Sequence, residues 1–579
     1  MGTDFQRTVL WVFFGMSLFL LWDRWLVYNG KPSMFGTTPT AQAPASSEQP
    51  KAASAGAVPA APPAPAGAAP SAAAAGSVPA EGAVPSAAKT AQPVVVQTDM
   101  LKVSIDPEGA VVSRVELLKE KVAPDWTASG LLGLVTGKTH DSNKHTVLLE
   151  VSPNRVYVVQ SGVVGGSFPT HRTPFTPVDG PRELAPGQDS LAVRFASESG
   201  GVRLTKTYTF HRGRYAIDVS HEVANIGEAP VVPSLYLQIL RDGNKPEGES
   251  SLYYTYTGPV VYTEQQKFKK VDFSAIEKNK VELPKPAEDG WIGMIQHYFV
   301  TAWVPDKGER QFYVRNVDKN LYSIGTLLPL GSVAPGAAAT KQSTLYIGPQ
   351  NQNVLAAIAP GLDLVVDYGW LTFLAKPIYW LLEFLHGIVG NWGWAIVLLT
   401  VLIKAAFYPL SAASYKSMAK MKEVTPRLTK IREQYADDKQ KMNTAMMELY
   451  RNEKINPLGG CLPILVQIPV FISLYWVLLA SVEMRNAPWT LWVTDLATPD
   501  AWFILPALMM ATMFIQYKLN PTPPDPVQAK VMMLMPFIFG AMFFFFPAGL
   551  VLYWLTNNIL SIAQQWYVTK QIAKAKKPG

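Results

Sequence analysis

The spacing of hydrophobic positions divides this chain into two parts. From Val94 to about Tyr346, apolar and polar residues alternate, most clearly from Tyr215 to Val223. Successive side chains of a strand point to opposite faces, so this alternation predicts β-strands with one buried face. Many such strands, separated by Gly, Pro, Asn and Asp turns, predict a large β-sandwich. We place this domain at residues 94–358.

Beyond residue 390 the apolar positions form long runs instead. An apolar run of about 20 residues crosses the hydrocarbon core of a bilayer as a helix. The sequence predicts five such spans, at about 392–410, 462–482, 501–517, 531–546 and 550–568. We place the core that they form at residues 391–579.

A further apolar run near the amino end, Thr8–Leu21, is not followed by a small-residue cleavage pattern. It therefore predicts an uncleaved membrane anchor within residues 1–28. Residues 29–93 are rich in Ala, Pro and Gly and poor in large apolar residues. Such a segment buries too little surface to fold, which predicts a flexible linker.

Residues 359–390 combine aromatic side chains with charges, such as Trp370 and Trp380 beside Lys376 and Glu383. Because Trp and Tyr favour the headgroup level, this pattern predicts an amphipathic helix in the outer membrane interface, interrupted at Pro377. The alternative is another span beginning near Trp370, which the two charges disfavour.

Residues 411–456, between the first two of the five spans, predict an antiparallel coiled-coil hairpin. Their apolar positions step by three and four residues, at Met421, Val424, Leu428, Ile431, Tyr435, Met442, Met446 and Leu449. We expect a turn at residues 436–438 and a kink at Pro426. Residues 411–454 contain ten Lys and Arg against six Asp and Glu, a net charge of +4.

Composition agrees with a membrane protein that has a soluble portion. Charged residues are 16% of the 579 residues, against about 25% in soluble domains. Because basic residues stay in the cytoplasm, the hairpin and the basic tail predict a multi-pass protein with cytoplasmic termini and a β domain on the outer side of the membrane. The single cysteine, Cys461, excludes an intramolecular disulfide and a cysteine zinc site. We expect no enzyme activity, cofactor or metal.

Polar residues within the predicted spans concentrate towards the cytoplasmic side. Thr400 and Lys404 share one helix face. Gln467 and Gln516 lie near the cytoplasmic ends of their spans, and Asn557 belongs to a polar series from the middle of the last span to its cytoplasmic end. Polar groups in lipid are costly, so they should face one another or water. This predicts a positively charged hydrophilic groove, open to the cytoplasm and to lipid. Two alternatives stay open: Lys404 snorkels to the interface, or the polar residues of the last span hydrogen-bond between helices.

Four segments resemble the YidC-type membrane protein insertases of Gram-negative bacteria. They are Tyr408–Leu410, Tyr415–Met421, Asn456–Pro463 and Pro547–Trp554. The resemblance implies an anchor helix, a periplasmic all-β supersandwich and a five-helix transmembrane insertase core with a cytoplasmic hairpin. It implies insertion and folding of newly synthesised inner-membrane proteins, alone or together with the Sec translocon.

The same resemblance implies ribosome docking at the cytoplasmic hairpin and basic tail, where anionic lipids are also expected. It marks Thr400, Gln467, Ile468, Pro469, Tyr553 and Trp554 as candidate client contacts, and the polar pattern adds Lys404, Gln516 and Asn557. The family usually carries arginine where this chain has Lys404. Lysine keeps the charge but loses the planar fork that binds carboxylates in a bidentate way.

Two other functions fit parts of the pattern. Intramembrane charge is also typical of secondary transporters, which usually show internal repeats and interrupted spans. No repeat is evident in this sequence. An envelope carbohydrate-binding protein would use its spans only as anchors, and aromatic residues such as Trp291, Tyr298 and Trp303 would then line its cleft. It would lose all function without Val94–Tyr346, whereas an insertase is expected to tolerate loss of much of that domain.

Overall fold

The computed structural model describes residues 92–123, 128–137, 144–246, 255–435, 438–453, 462–520 and 526–575. They divide into two compact units. The β unit contains residues 92–122 and 144–366, and the helical unit contains residue 123 and residues 128–137 and 367–575. The predicted anchor, nearly all of the predicted linker, the predicted turn at 436–437 and residues 454–461 lie outside the described residues.

The β unit is built from two antiparallel sheets. The eight-stranded sheet has the order β1-β2-β3-β4-β5-β10-β16-β15. These strands are β1 (Val94–Gln97), β2 (Leu101–Asp106), β3 (Val111–Lys121), β4 (His145–Ser152), β5 (Arg155–Val164), β10 (Ser234–Asp242), β15 (Gln311–Asp318) and β16 (Leu321–Pro329).

The nine-stranded sheet has the order β12-β11-β13-β14-β17-β9-β8-β7-β6. Its strands are β6 (Thr176–Pro177), β7 (Ser190–Ser199), β8 (Val202–His211), β9 (Ala216–Asn225), β11 (Gly258–Thr263), β12 (Lys267–Lys270), β13 (Trp291–Gln296), β14 (Phe299–Pro305) and β17 (Ala338–Pro349). The core of the unit is formed by side chains from both sheets.

The alternating pattern of the sequence is explained by this core. In β9, Ile217, Val219, His221 and Val223 are buried, while the residues between them face outwards. Trp291 and Trp303 are also fully buried. They are therefore core residues of the β unit and do not line an open cleft.

Lys206 is a buried cation in this core. Its Nζ atom donates hydrogen bonds to the carbonyl oxygens of Gly109, at 2.6 Å, and Ser161, at 2.7 Å. The same atom lies 4.7 Å from the ring centroid of Phe175. These partners are neutral, and burial lowers the pKa of Lys206 to about 7. The β unit thus carries an ionisable group that titrates far below its usual range.

We expect the stability of the β unit to rise between about pH 7.5 and pH 9.5 because of Lys206. The native lysine releases its proton near pH 7, whereas the unfolded lysine keeps it until about pH 10.5. The unfolded state therefore binds more protons in this window, and the free energy of unfolding increases by up to about 1.4 kcal/mol per pH unit. Urea unfolding of the full-length protein, followed by pulse proteolysis of the β unit, measures this slope.

Lys206→Met is the matched variant for this measurement. Its absolute stability can fall, since two buried carbonyl groups lose their donor. Its pH slope should nevertheless be flatter than that of the native protein. An equal slope in both proteins would assign the pH dependence to other groups.

Eleven α-helices occur in the described residues. They are α1 (Gly130–Thr136), α2 (Phe273–Glu277), α3 (Gln352–Ile358), α4 (Thr372–Val389), α5 (Trp392–Ala406), α6 (Tyr408–Gln434), α7 (Lys439–Asn452), α8 (Leu462–Ala480), α9 (Ile504–Leu519), α10 (Pro526–Phe543) and α11 (Ala548–Ala575). Helices α2 and α3 belong to the β unit, and the others form the helical unit.

Helix length and apolarity give one candidate membrane crossing among the described residues. No single helix is long and apolar enough, but α5 and α6 together are, with a bend of 66° between them. Shorter apolar helices cover Val466–Ala480, Ile504–Leu519 and Ala529–Phe543.

The predicted helical segments differ from the observed ones mainly at their ends. The segment 392–410 is not one straight helix, because α5 ends at Ala406 and Pro409 occupies the first turn of α6. Proline favours a helix start, since its missing N–H is not needed there. The segment predicted at 501–517 begins at Ile504, where the Asp500 carboxylate accepts the N–H groups of Trp502 and Leu505.

Other observed helix ends lie before or after the predicted ones. Helix α8 ends at Ala480, two residues before the predicted end, α10 covers Pro526–Phe543 instead of 531–546, and α11 extends to Ala575. Pro377 does not interrupt α4, and α6 is one helix across Pro426. Helices α6 and α7 pack through a small apolar cluster formed by Met421, Val424, Leu428, Met446, Leu449 and Tyr450.

Candidate functional site

Lys404 lies near the carboxyl end of α5, the helix that packs against α4 and α11. The side chain is buried, and its Nζ atom donates a hydrogen bond of 2.8 Å to the Ser561 hydroxyl on α11. The ammonium group therefore points towards a neighbouring helix. Thr400, one turn earlier, is also buried, but its hydroxyl donates to the Ile396 carbonyl of its own helix.

Ser561 connects Lys404 to other polar groups. Its hydroxyl also donates to the Asn557 carbonyl at 2.7 Å, and Tyr415 of α6 reaches the same hydroxyl. The Gln564 amide donates to the backbone carbonyl of Lys404 at 3.4 Å. Ser561 was not among the nine predicted site residues. Its position four residues after Asn557 places both on one face of α11, and this spacing was the available signal.

A second polar contact joins α8 to α11. The Gln467 amide donates to the Asn557 side-chain oxygen at 3.0 Å. The next residue, Ile468, remains 42% exposed although it is large and apolar. Pro469 is half-buried, and its carbonyl accepts a hydrogen bond from Ser473. Helix α8 therefore presents a polar residue to α11 and an apolar residue outwards within one turn.

Tyr553 and Trp554 belong to an aromatic cluster beside these polar contacts. The Trp554 ring stacks on Phe471 with centroids 5.0 Å apart, and it meets Phe543 edge-on at 4.1 Å. Phe546 lies 6.0 Å from the same ring. Tyr553 is fully buried. Trp554 thus packs α11 against both α8 and α10.

Gln516 lies apart from this arrangement. It is half-buried on α9, and among the described residues no hydrogen bond joins its side chain to the other eight predicted site residues. Asn558 of α11 donates instead to Thr512 of α9 at 3.5 Å, and Gln565 of α11 donates to Asn520, the residue after α9, at 3.2 Å.

A buried acceptor next to Lys404 lacks a protein partner. Within the described part of the chain it is the side-chain oxygen of Gln564, whose amide group donates to the Lys404 carbonyl. Buried amide oxygens without a protein partner usually bind water. The surroundings of Lys404 therefore suit a hydrated site. No three His, Cys, Asp or Glu side chains of the described residues are placed to hold a metal ion.

Comparisons with known proteins agree over both units. The YidC periplasmic domain model matches residues 93–381, and the 60Kd inner membrane protein model matches residues 384–576. The membrane protein insertase YidC of Bordetella petrii is 57% identical over 99% of this chain and 98% of its own length. That of Bordetella avium is 55% identical, over 99% of both chains. A solved structure, described as an active YidC insertase crystal structure with the first transmembrane domain resolved, covers 83% of this chain and 93% of its own, at 18% identity and a TM-score of 0.37.

Proposed function

The chain belongs to the YidC family of membrane protein insertases, and from this premise we propose that it inserts its clients through the polar site around Lys404. As an insertase it is an inner-membrane protein with a periplasmic domain, and its substrates are nascent membrane proteins. The observation that carries the proposal is the buried contact between Lys404 and Ser561, with amide groups of α8 and α11 beside it.

The site provides hydrogen-bonding partners for a polar segment of the client, at a depth in the membrane where lipid provides none. A charged group at the centre of a bilayer costs about 2.5–3.5 kcal/mol on insertion scales. Hydrogen bonds and water near Lys404 reduce this cost and give a short hydrophilic segment an intermediate stop. No covalent step and no nucleotide are required. The apolar helix of the client then moves into lipid along α8 and α11.

The lysine favours attraction over specific recognition. Its ammonium group contacts the neutral hydroxyl of Ser561, so its positive charge is not compensated by this partner. A single charge without a planar fork attracts any carboxylate nearby. We propose that acidic extracytoplasmic segments of clients are the groups that benefit most.

The topology and partners of the insertase are part of the same proposal. We propose an anchor at residues 1–28, the linker at 29–93, the periplasmic domain at 94–358 and an interfacial helix at 359–390, followed by five spans with both termini in the cytoplasm. Basic residues on the hairpin of α6 and α7 and on the tail support docking of ribosomes and anionic lipid there. Cooperation with the Sec translocon rests on the family alone.

Crosslinking to a stalled nascent membrane protein tests the path of the client. A photocrosslinker at Ile468 should label the client strongly, because this residue is exposed and adjoins the polar contact of Gln467. Val466 is the matched control, since it is 40% exposed and lies about 200° further round the same helix. Equal labelling from both positions would contradict a defined path along α8.

Thr400 and Tyr553 provide a second comparison in this experiment. Both are buried, so a crosslinker there reaches a client only if the helices separate. We expect labelling from these two positions only during insertion, and labelling from Ile468 also before it. If Tyr553 labels the client although α8 has not moved, the client does not pass between α8 and α11.

A further inference from the structure

A short apolar helix follows β3 in the chain and belongs to the helical unit. In α1, Leu131, Leu134 and Val135 have the spacing of one helix face. This face is exposed, with 72% of Leu134 and 77% of Val135 accessible, whereas Gly133 is the buried residue. A helix on a soluble surface normally buries its apolar face. The orientation of α1 is the reverse, which indicates an apolar environment around it.

The exposed face is held in a fixed position. The Leu131 N–H donates a hydrogen bond of 3.0 Å to the Ala501 carbonyl, in the loop between α8 and α9. Gly130 has a φ of +54°, and a Cβ atom there would lie 2.2 Å from the same carbonyl oxygen. Only glycine permits this close approach. Helix α1 is thus docked through its backbone, which leaves its large side chains for another partner.

The residues around this docking point are apolar as well. Residues 128–137 contain no charged side chain. Ala501 is followed by Trp502 and then by Ile504 at the start of α9, both of which are exposed. Leu491, in the same loop, is 83% exposed and has a φ of +54°, a conformation that leucine rarely adopts. Tryptophan and exposed leucine at the end of an apolar helix are typical of the membrane interface.

We infer that α1 inserts its apolar face into the bilayer, at the boundary between headgroups and acyl chains. Interfacial helices bury this face about 5–10 Å deep. Phospholipid is favoured over a protein partner because three side chains are far fewer than the 20–30 residues per partner of a specific interface, about 800 Å² on each side. Residues 128–137 carry no charge, and the nearest charged residues in the sequence, Asp125 and Lys138, have opposite signs, so no net positive charge calls for anionic headgroups. The connection between β3 and β4 is therefore attached to the membrane surface.

A fluorescent probe at position 135 tests this inference in the full-length protein. Cys461 is first replaced by serine, so that Val135→Cys carries the only thiol, which is then labelled with an environment-sensitive dye. The protein is reconstituted alone into liposomes of zwitterionic phospholipid. Brominated acyl chains should reduce the emission about twofold, while aqueous iodide should have little effect. Val232→Cys is the control, because Val232 is an equally large and exposed residue of the β unit, and the opposite behaviour is expected there.

Two outcomes would overturn the inference. Iodide quenching at position 135 as strong as at position 232 would place α1 in water. Protection from iodide that appears only after a client or another membrane protein is added would identify a protein surface instead. A supporting variant is Leu134→Asp in the labelled protein. It should move the probe into water without unfolding the chain, since Leu134 contributes little to the core.

Discussion

Replacing Lys404 by glutamate is expected to reduce the insertion of clients with acidic translocated segments about tenfold or more. The substitution turns an attractive charge into a repulsive one within the membrane region. Two unit charges 4 Å apart interact with about 4 kcal/mol at an effective dielectric constant of 20, and 1.4 kcal/mol already corresponds to a factor of ten. The measurement is protease protection of the client after insertion into liposomes that contain the purified variant.

The comparison between clients makes this experiment specific. A client with a neutral translocated segment should be affected much less, because it has no charge for position 404 to repel. Lys404→Arg should insert both clients normally, and Lys404→Gln should be intermediate for the acidic one. An equal loss for both clients would indicate damage to the packing of α5 against α11. Normal insertion of the acidic client would refute attraction by this residue.

Trp554→Ala is expected to destabilise the helical unit by about 1–3 kcal/mol. Trp554 is half-buried, so the cost is lower than the roughly 3–5 kcal/mol of removing a fully buried aromatic side chain. Trp554 contacts Phe471 and Phe543, so its loss opens a cavity between α8, α10 and α11. Within a bilayer this effect comes from lost dispersion contacts rather than from water exclusion. Unfolding by SDS titration in mixed micelles measures it.

Trp566→Ala is the matched control for this prediction. Trp566 lies on the same helix but is exposed, and its removal should change the unfolding midpoint little. Equal midpoints for the two variants would contradict a structural role of Trp554. Its place among the candidate client contacts would then gain support. If Trp554→Ala is destabilised but still inserts clients once lipid has restored its stability, Trp554 has a structural role and is not a client contact.

The β unit was predictable because alternation with a period of two marks several of its strands, although β10, β11 and β13 are buried at every position. In β9 the buried positions are those that alternation selects, and the sandwich is confirmed. Helix ends were less predictable, because they depend on contacts that hydropathy does not contain. Asp500 delays the start of α9, and Pro409 separates α6 from α5. Both residues mark a boundary in the sequence, but the exact helix start depends on which N–H groups the Asp500 carboxylate accepts and on the bend at Pro409.

The candidate site was predictable as a set of polar residues but not as a set of partners. The spacing of Thr400 and Lys404 gave a shared helix face, yet Thr400 binds its own backbone and Lys404 binds Ser561. Which residue of α11 faces Lys404 depends on the relative position of two helices, and a single sequence does not contain it. Family membership decided the function, and it argues against the transporter and the carbohydrate-binding protein.

The bend of 66° between α5 and α6 lies close to Lys404 and far from the end of α6 that leads to α7. Helix α6 has 27 residues and is about 40 Å long, whereas Lys404 lies one turn or less from the bend. A rotation of α6 by about 10° about the bend moves its far end by about 7 Å, whereas the same rotation of the end of α5 moves Lys404 by less than about 1 Å. The far end of α6 can therefore move by several ångströms while Lys404 is displaced only slightly.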